Sequence, residues 1–172
     1  MKLYLIFALV WITTFDLMAA DLPSPTLSLT IESMSQDGHI TIGIHNKSAN
    51  EIRVWTSCYS WAYFNWRVID IRNDEMRLYC PYPDEGFTMN FPAYATIKPG
   101  AMITEELKLG GKDKWVNNTR PLIHWVGPKD TQPLLQNGDK IIVTYDVRWS
   151  NEANQYHVWT GLTAVSKDYH PN

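Results

Sequence analysis

The chain is predicted to fold as an all-β, antiparallel sandwich, with a closed barrel as the second architecture. Three observations carry this. Apolar and polar residues alternate with period two in segment after segment. Turn signals built from Gly, Pro, Asn and Asp interrupt them every 8 to 12 residues. No window of about 12 residues carries a helical apolar stripe. Together these predict eight or nine short strands and no long helix.

The elements follow in order. Leu27, Leu29 and Ile31 share one face, opposite Thr26, Ser28, Thr30 and Glu32. Gln36-Asp37-Gly38 is a turn. Ile40, Ile42 and Ile44 then alternate with His39, Thr41, Gly43 and His45, giving two half-buried strands joined by a short loop. The polar run Asn46 to Asn50 turns the chain. Ile52 and Val54 restart the alternation, with Arg53 and Trp55 on the other face. A strand from about Trp66 to Ile71 ends at Asn73-Asp74, and Met76 to Cys80 is its short partner.

Pro81, Pro83 and Gly86 break regular structure. Thr96-Ile97 leads into Pro99-Gly100, where proline fixes φ and glycine accepts positive φ. Ile103, Glu105, Leu107 and Leu109 form the next inward set, with Glu105 as its one polar member. Gly110 to Asn118 is loop, Leu122 to Val126 a strand, and Gly127 to Asp139 loop. Ile141, Val143, Tyr145, Val147 and Trp149 are the inward residues of the cleanest strand. Asn151 to Asn154 turns the chain, and Tyr156, Val158, Thr160 and Leu162 close the set.

Residues 1–20 read as a signal peptide. Lys2 supplies the positive start, Leu3 to Ile12 is a run of ten apolar residues, and Met18-Ala19-Ala20 offers a cleavage point. Ten apolar residues fall short of the roughly 20 that span a bilayer. Cleavage leaves residues 21–172 as one domain in a secreted or periplasmic setting, with no integral membrane segment. Loss of Lys2 and Asp16 keeps the net charge at −3, too mild for a nucleic-acid partner.

Cys58 and Cys80 both lie in the mature part, and an even count in an exported chain predicts a disulfide. It would close a loop of 23 residues, worth about 3.4 kcal/mol in the chain-entropy model. Asn46-Lys47-Ser48 and Asn117-Asn118-Thr119 are sequons in predicted loops, so Asn46 and Asn117 are candidate glycan acceptors.

No catalytic motif stands out. The nucleophile elbow, the His-Glu-x-x-His pair and Gly-rich phosphate loops are missing from the sequence. Glu105 and Glu106 are adjacent on a strand and face opposite sides. His39 and His45 share a face, but six residues at about 3.3 Å each put them roughly 20 Å apart. No metal site, cofactor or catalytic residue is assigned.

Aromatic residues are the compositional outlier, at 22 of 172. Five of the nine residues from Cys58 to Trp66 are aromatic. Trp66 and Val68 or Ile69 suit the core. Tyr59, Trp61, Tyr63 and Phe64 are the candidate binding residues, because large rings with few rotatable bonds anchor interfaces well. Trp115 and the loop Pro81 to Phe87 are candidate neighbours of that surface.

The segment Ile42 to Val54 with its Asn46-Lys47-Ser48 turn, the aromatic-led strand Trp66 to Asp74, the turn Thr96-Ile97-Lys98-Pro99-Gly100 and the strand Gly138 to Tyr145 follow one another along the chain. Over residues 26–149 this order resembles immunoglobulin-like domains of the BsuPI-type proteinase-inhibitor group, and the similar β-sandwich pro-regions of some secreted metallopeptidases. The resemblance implies an immunoglobulin-like, non-catalytic domain that binds another protein, with peptidases as one partner class. The chain departs from the inhibitor group in its signal peptide, cysteine pair and aromatic insert, so no inhibitory residue is carried over. The expected function is recognition of a protein partner. A carbohydrate-binding module using the same rings is the alternative, and a β-sandwich hydrolase the second alternative.

Overall fold

The computed structural model describes residues 26–55, 64–80, 93–110, 123–124 and 134–171. Among them every strand ladder is antiparallel, one isolated parallel bridge joins Arg53 to Val158, and the chain is all-β apart from one helical turn. The strands are β1 (Leu27–Met34), β2 (His39–Asn46), β3 (Ile52–Trp55), β4 (Trp66–Arg72), β5 (Glu75–Cys80), β6 (Tyr94–Ile97), β7 (Met102–Lys108), β8 (Ile123–His124), β9 (Lys140–Val147) and β10 (Gly161–Asp168). The helical turn α1 spans Asn151–Gln155. Ten strands are thus described, against the expected eight or nine.

They form a three-stranded sheet β1-β2-β7, a five-stranded sheet β10-β9-β4-β5-β8, and the pair β3-β6. The period-two alternation sets the faces. Leu27, Leu29, Ile31, Ile40, Ile42 and Ile44 line the inside of the first sheet; Trp66, Val68, Ile141, Val143, Tyr145 and Val147 line the inside of the second. These residues join with Ile52, Val54 and Ile97 of the third in one core. One face of each sheet must leave water, and packing the inner faces together does this.

The β4–β5 hairpin turns through Asn73 and Asp74, at φ 50° and 64°. Both lie in the left-handed region that a two-residue hairpin turn demands, and Asn and Asp tolerate it better than other non-glycine residues. Edge strand β7 carries Glu105 on its inward face at 9 % exposure. An inward charge on an edge strand discourages pairing with another chain.

Three expectations are corrected. Trp55, assigned to the outer face, is buried at 3 % exposure. It ends β3, which packs in a separate two-stranded sheet, and Tyr156 covers its edge. Trp149, assigned to the core, is 70 % exposed. β9 stops at Val147, and Ser150 then caps α1 by accepting from the Ala153 amide, so the chain leaves the sheet before alternation reaches Trp149. The last strand is also out of step with the expected set. Leu162 pairs opposite Asp146 and is exposed, while Thr163 pairs opposite Tyr145 and is buried.

Candidate functional site

One end of the molecule gathers rings from five separate parts of the chain. Trp55 is the last residue of β3 and Phe64 lies just before β4. Tyr59, Trp61 and Tyr63 of the expected binding set fall between them and lie outside the described residues, as does Cys58. Phe64, the fourth member, is 38 % exposed. Arg67 steadies its backbone, donating Nη1 to the Phe64 and Trp66 carbonyls at 2.7 Å each.

Register brings Tyr94 of β6 opposite Trp55. Tyr156, at the end of α1, meets Trp55 edge-on at 6.0 Å and 65°, and lies 6.0 Å from the Tyr94 ring. Arg53 ties these parts together. Its guanidinium sits 4.7 Å above the Tyr94 ring and donates Nη1 to the Tyr156 carbonyl at 2.9 Å. A cation over an aromatic face is attracted by the ring quadrupole, by about 0.5–1 kcal/mol where water reaches it.

Beneath lies a buried floor. Trp66 and Tyr145 rings are 4.5 Å apart, and Tyr145 stacks on Trp159 at 6.1 Å and 11°. Burial pushes the Tyr145 phenol up, so it stays neutral. Trp159 donates Nε1 to Thr26 Oγ1 at 3.1 Å. Beside this floor the Asp146 amide donates to the Asn65 carbonyl at 2.9 Å, fastening the end of β9 to the residue before β4. Trp149 stands two residues past that strand end.

Exposure separates the two groups. Among the described residues the exposed aromatics are Phe64, Tyr94 and Trp149, and all three lie at this end. Sequence reasoning found Phe64 and missed Tyr94, Trp149, Tyr156 and Arg53. Tyr94 enters through the β3–β6 register, which no local pattern encodes. Trp115 and the loop from Pro81 to Phe87 lie outside the described residues.

The other end of the same five-stranded sheet is built from charge. Arg72 grips Asp139 with two bonds, Nε to Oδ1 at 2.8 Å and Nη2 to Oδ2 at 2.5 Å, and donates Nη2 to the Leu134 carbonyl at 2.9 Å. Arg77 pairs directly with Asp70, whose side chain is fully buried. Burial raises the Asp70 carboxyl to about 6 in spite of both guanidiniums. Asp139 goes the other way: burial is outweighed by Arg72 and the Gln136 amide, which hold it below the usual carboxylate value. The network pins residues 134–139 to β4 and β5.

Asn46 is built into the fold. It is fully buried, donates Nδ2 to the carbonyls of Asn50 at 2.7 Å and Ile97 at 2.9 Å, and accepts from Ser48. A glycan on Nδ2 would have to displace these bonds. Asn117 and the segment 1–20 lie outside the described residues. Cys80 is buried, which pushes its thiol up, and its expected partner Cys58 lies outside the described residues.

Among the described residues no helix is long and apolar enough to cross a membrane, and no three His, Cys, Asp or Glu side chains gather to hold a metal. No protein-family model matches the chain. No curated protein matches it.

Proposed function

We propose that the protein is an exported, immunoglobulin-like, non-catalytic domain that recognises a protein partner through its aromatic end. The observation that carries this reading is the segregation of exposure: Phe64, Tyr94 and Trp149 are solvent-facing at one end, while Trp55, Trp66 and Tyr145 are buried behind them. Exposed rings on a packed floor lose little freedom on binding, and their burial drives association. Arg53, Arg67 and Asp146 supply a polar rim of the kind that surrounds an apolar interface centre. Tyr59, Trp61 and Tyr63 belong to the same surface in this reading, and peptidases are one class of partner.

The test is recovery of a stoichiometric partner from the native extracellular or periplasmic fraction. Phe64→Ala with Trp149→Ala is expected to lose it while the fold survives. Full binding by that double variant sinks the assignment of the site.

The 70 % exposure of Trp149 favours a second reading, stacking on a sugar ring. It predicts a change in tryptophan fluorescence with soluble glycans that Trp149→Ala removes; silence across a broad panel excludes it. Export and the Cys58–Cys80 bridge belong to the first reading. Alkylation of both cysteines without prior reduction would remove the bridge from it.

A further inference from the structure

At the ionic end of the five-stranded sheet one arginine lies within reach of two carboxylates. Arg77 of β5 is directly opposite Asp70 of β4 in the register and pairs with its Oδ2. The same Nη2 is 3.5 Å from the Leu134 carbonyl and 3.7 Å from Asp139 Oδ2. Ordinary hydrogen bonds are about 2.9 Å long, so a movement of under about 1 Å carries the guanidinium from one set of acceptors to the other. The second set has room for it. The Leu134 carbonyl accepts from Arg72 Nη2 at 2.9 Å, and a carbonyl oxygen has a second lone pair.

The charged and titratable groups around Asp70 come from each neighbouring element. Arg72 shares its strand and face, with Nη2 3.9 Å from Asp70 Oδ2. β5 contributes Arg77 and, two residues on, the buried Tyr79. Asp139 stands just before β9, whose apolar Ile141 is the residue opposite Asp70. Tyr169, just past β10, meets Asp139 through its backbone amide. Lys167 of β10 engages the Ile31 carbonyl. Glu105, the inward charge of β7, acts on Tyr145, which pairs opposite Trp66 at the other end of β4. Asp70 is itself fully buried, and its Oδ1 has no hydrogen-bond partner among the described residues. A proton added at that oxygen breaks no bond. Burial favours the neutral carboxyl, Arg77 opposes it, Asp139 adds to it and Arg72 opposes it again, which leaves the group raised to about 6.

We propose that Asp70 works as a proton-operated switch on Arg77, and through it on the grip that holds residues 134–139. With Asp70 ionised, Arg77 is held on β4. A proton taken from solvent by Oδ1 removes that charge, and a bond to a neutral acceptor is roughly half as strong as one to a carboxylate. Arg77 then moves to the Leu134 carbonyl and to Asp139, which is still ionised because Arg72 and the Gln136 amide hold it below the usual carboxylate value despite burial. Two arginines then clamp residues 134–139 where one did before. That segment ties the sheets together. The Leu135 amide donates to the Gln36 carbonyl in the β1–β2 turn at 3.1 Å, and the Gly138 amide to the Tyr169 carbonyl at 2.9 Å. Leu134 fills the space over two glycines: a Cβ on Gly38 or on Gly110 would meet one of its methyls at 2.9 Å. This end of the molecule therefore tightens in mild acid and loosens towards neutral pH. The device uses none of the aromatic residues and stands apart from the recognition reading.

The folded chain, isotope-labelled at carbon and nitrogen, is titrated from pH 7 to pH 5 and followed by NMR. The Asp70 carboxyl carbon and the Leu134 carbonyl carbon are expected to shift together, with one midpoint at about 6. Over the same range the Leu135 amide should gain protection against hydrogen exchange, corrected for the intrinsic rate, by about threefold or more relative to Ile42 in β2. A uniform gain in stability would leave that ratio unchanged. Asp70→Asn, neutral and of the same shape, should keep the Leu134 carbonyl at its acid position throughout. Arg77→Gln should remove the Leu134 shift while Asp70 still titrates. An Asp70 carboxyl that titrates while the Leu134 carbonyl stays still overturns the proposal, and that measurement needs no variant. So does an Asp70 that takes up no proton between pH 7 and pH 5, or a Leu134 shift that survives in Asp70→Asn.

Discussion

The five-stranded sheet has two unlike ends, about 20 Å apart along β4 at roughly 3.3 Å per residue. At the Trp66 end the chain ends its strands among rings, and three of those rings face water. At the Arg72 end the strands close on a buried set of two arginines and two aspartates that holds residues 134–139 in place. The ionic end pairs its buried charges within the molecule, with Met76 beside them exposed. The aromatic end keeps apolar surface in reserve. In the recognition reading proposed above, that surface is what a partner covers.

The comparison is broken most severely at the ionic end. Asp139→Ala removes both bonds to Arg72 and the acceptor of the Gln136 amide, leaving a half-buried guanidinium without its main partner. Breaking a buried pair from one side costs about 3–5 kcal/mol, which denaturant unfolding would read. Asn46→Ala comes next. It strips the buried Ile97 carbonyl of its side-chain donor, at about 1–3 kcal/mol.

A smaller effect is carried by pH. Burial holds Asp70 up at about 6, above its ordinary 3.8, so the fold favours its protonated form. Its contribution to stability therefore rises as pH falls through about 6 and is complete below 3.8. Asp139 is depressed, so its contribution is full above 3.8 and is lost as pH drops through its lower folded value. Between pH 7 and 5 the native chain should gain stability relative to Asp70→Asn. A variant that tracks the native curve over that window would remove Asp70 as the cause.

The aromatic end should respond in the opposite way. Ser150→Ala deletes the cap of α1, which presents Tyr156 to Trp55 and Tyr94. It should cost about 1 kcal/mol, read as a lowered Tm. Trp149→Ala should change stability by no more than about 0.5 kcal/mol, because the ring is exposed, yet it should lower partner binding. A large stability loss there would assign Trp149 to the fold instead of to recognition.

Much of the fold was legible because β alternation is local. The inward sets Leu27 to Ile31, Ile40 to Ile44 and Ile141 to Val147 were read correctly, as was the hairpin through Asn73-Asp74. Within the candidate site the sequence pointed to Phe64 and to the segment before it. Nothing local signalled that Arg53 would sit over Tyr94, since the two are joined only by strand pairing.

The sequence by itself determined the strands, their turns and most of their buried faces. Those follow from side chains that alternate across a pleated backbone and from residues that tolerate left-handed φ. The tertiary structure alone decided where alternation stops and what each strand end meets. It buried Trp55 beneath Tyr156, released Trp149 to solvent, drew Asn46 inward, and brought Asp70, Arg72, Arg77 and Asp139 into contact. These outcomes depend on pairing between distant segments, and a one-residue change in where a strand ends reverses which face a side chain takes.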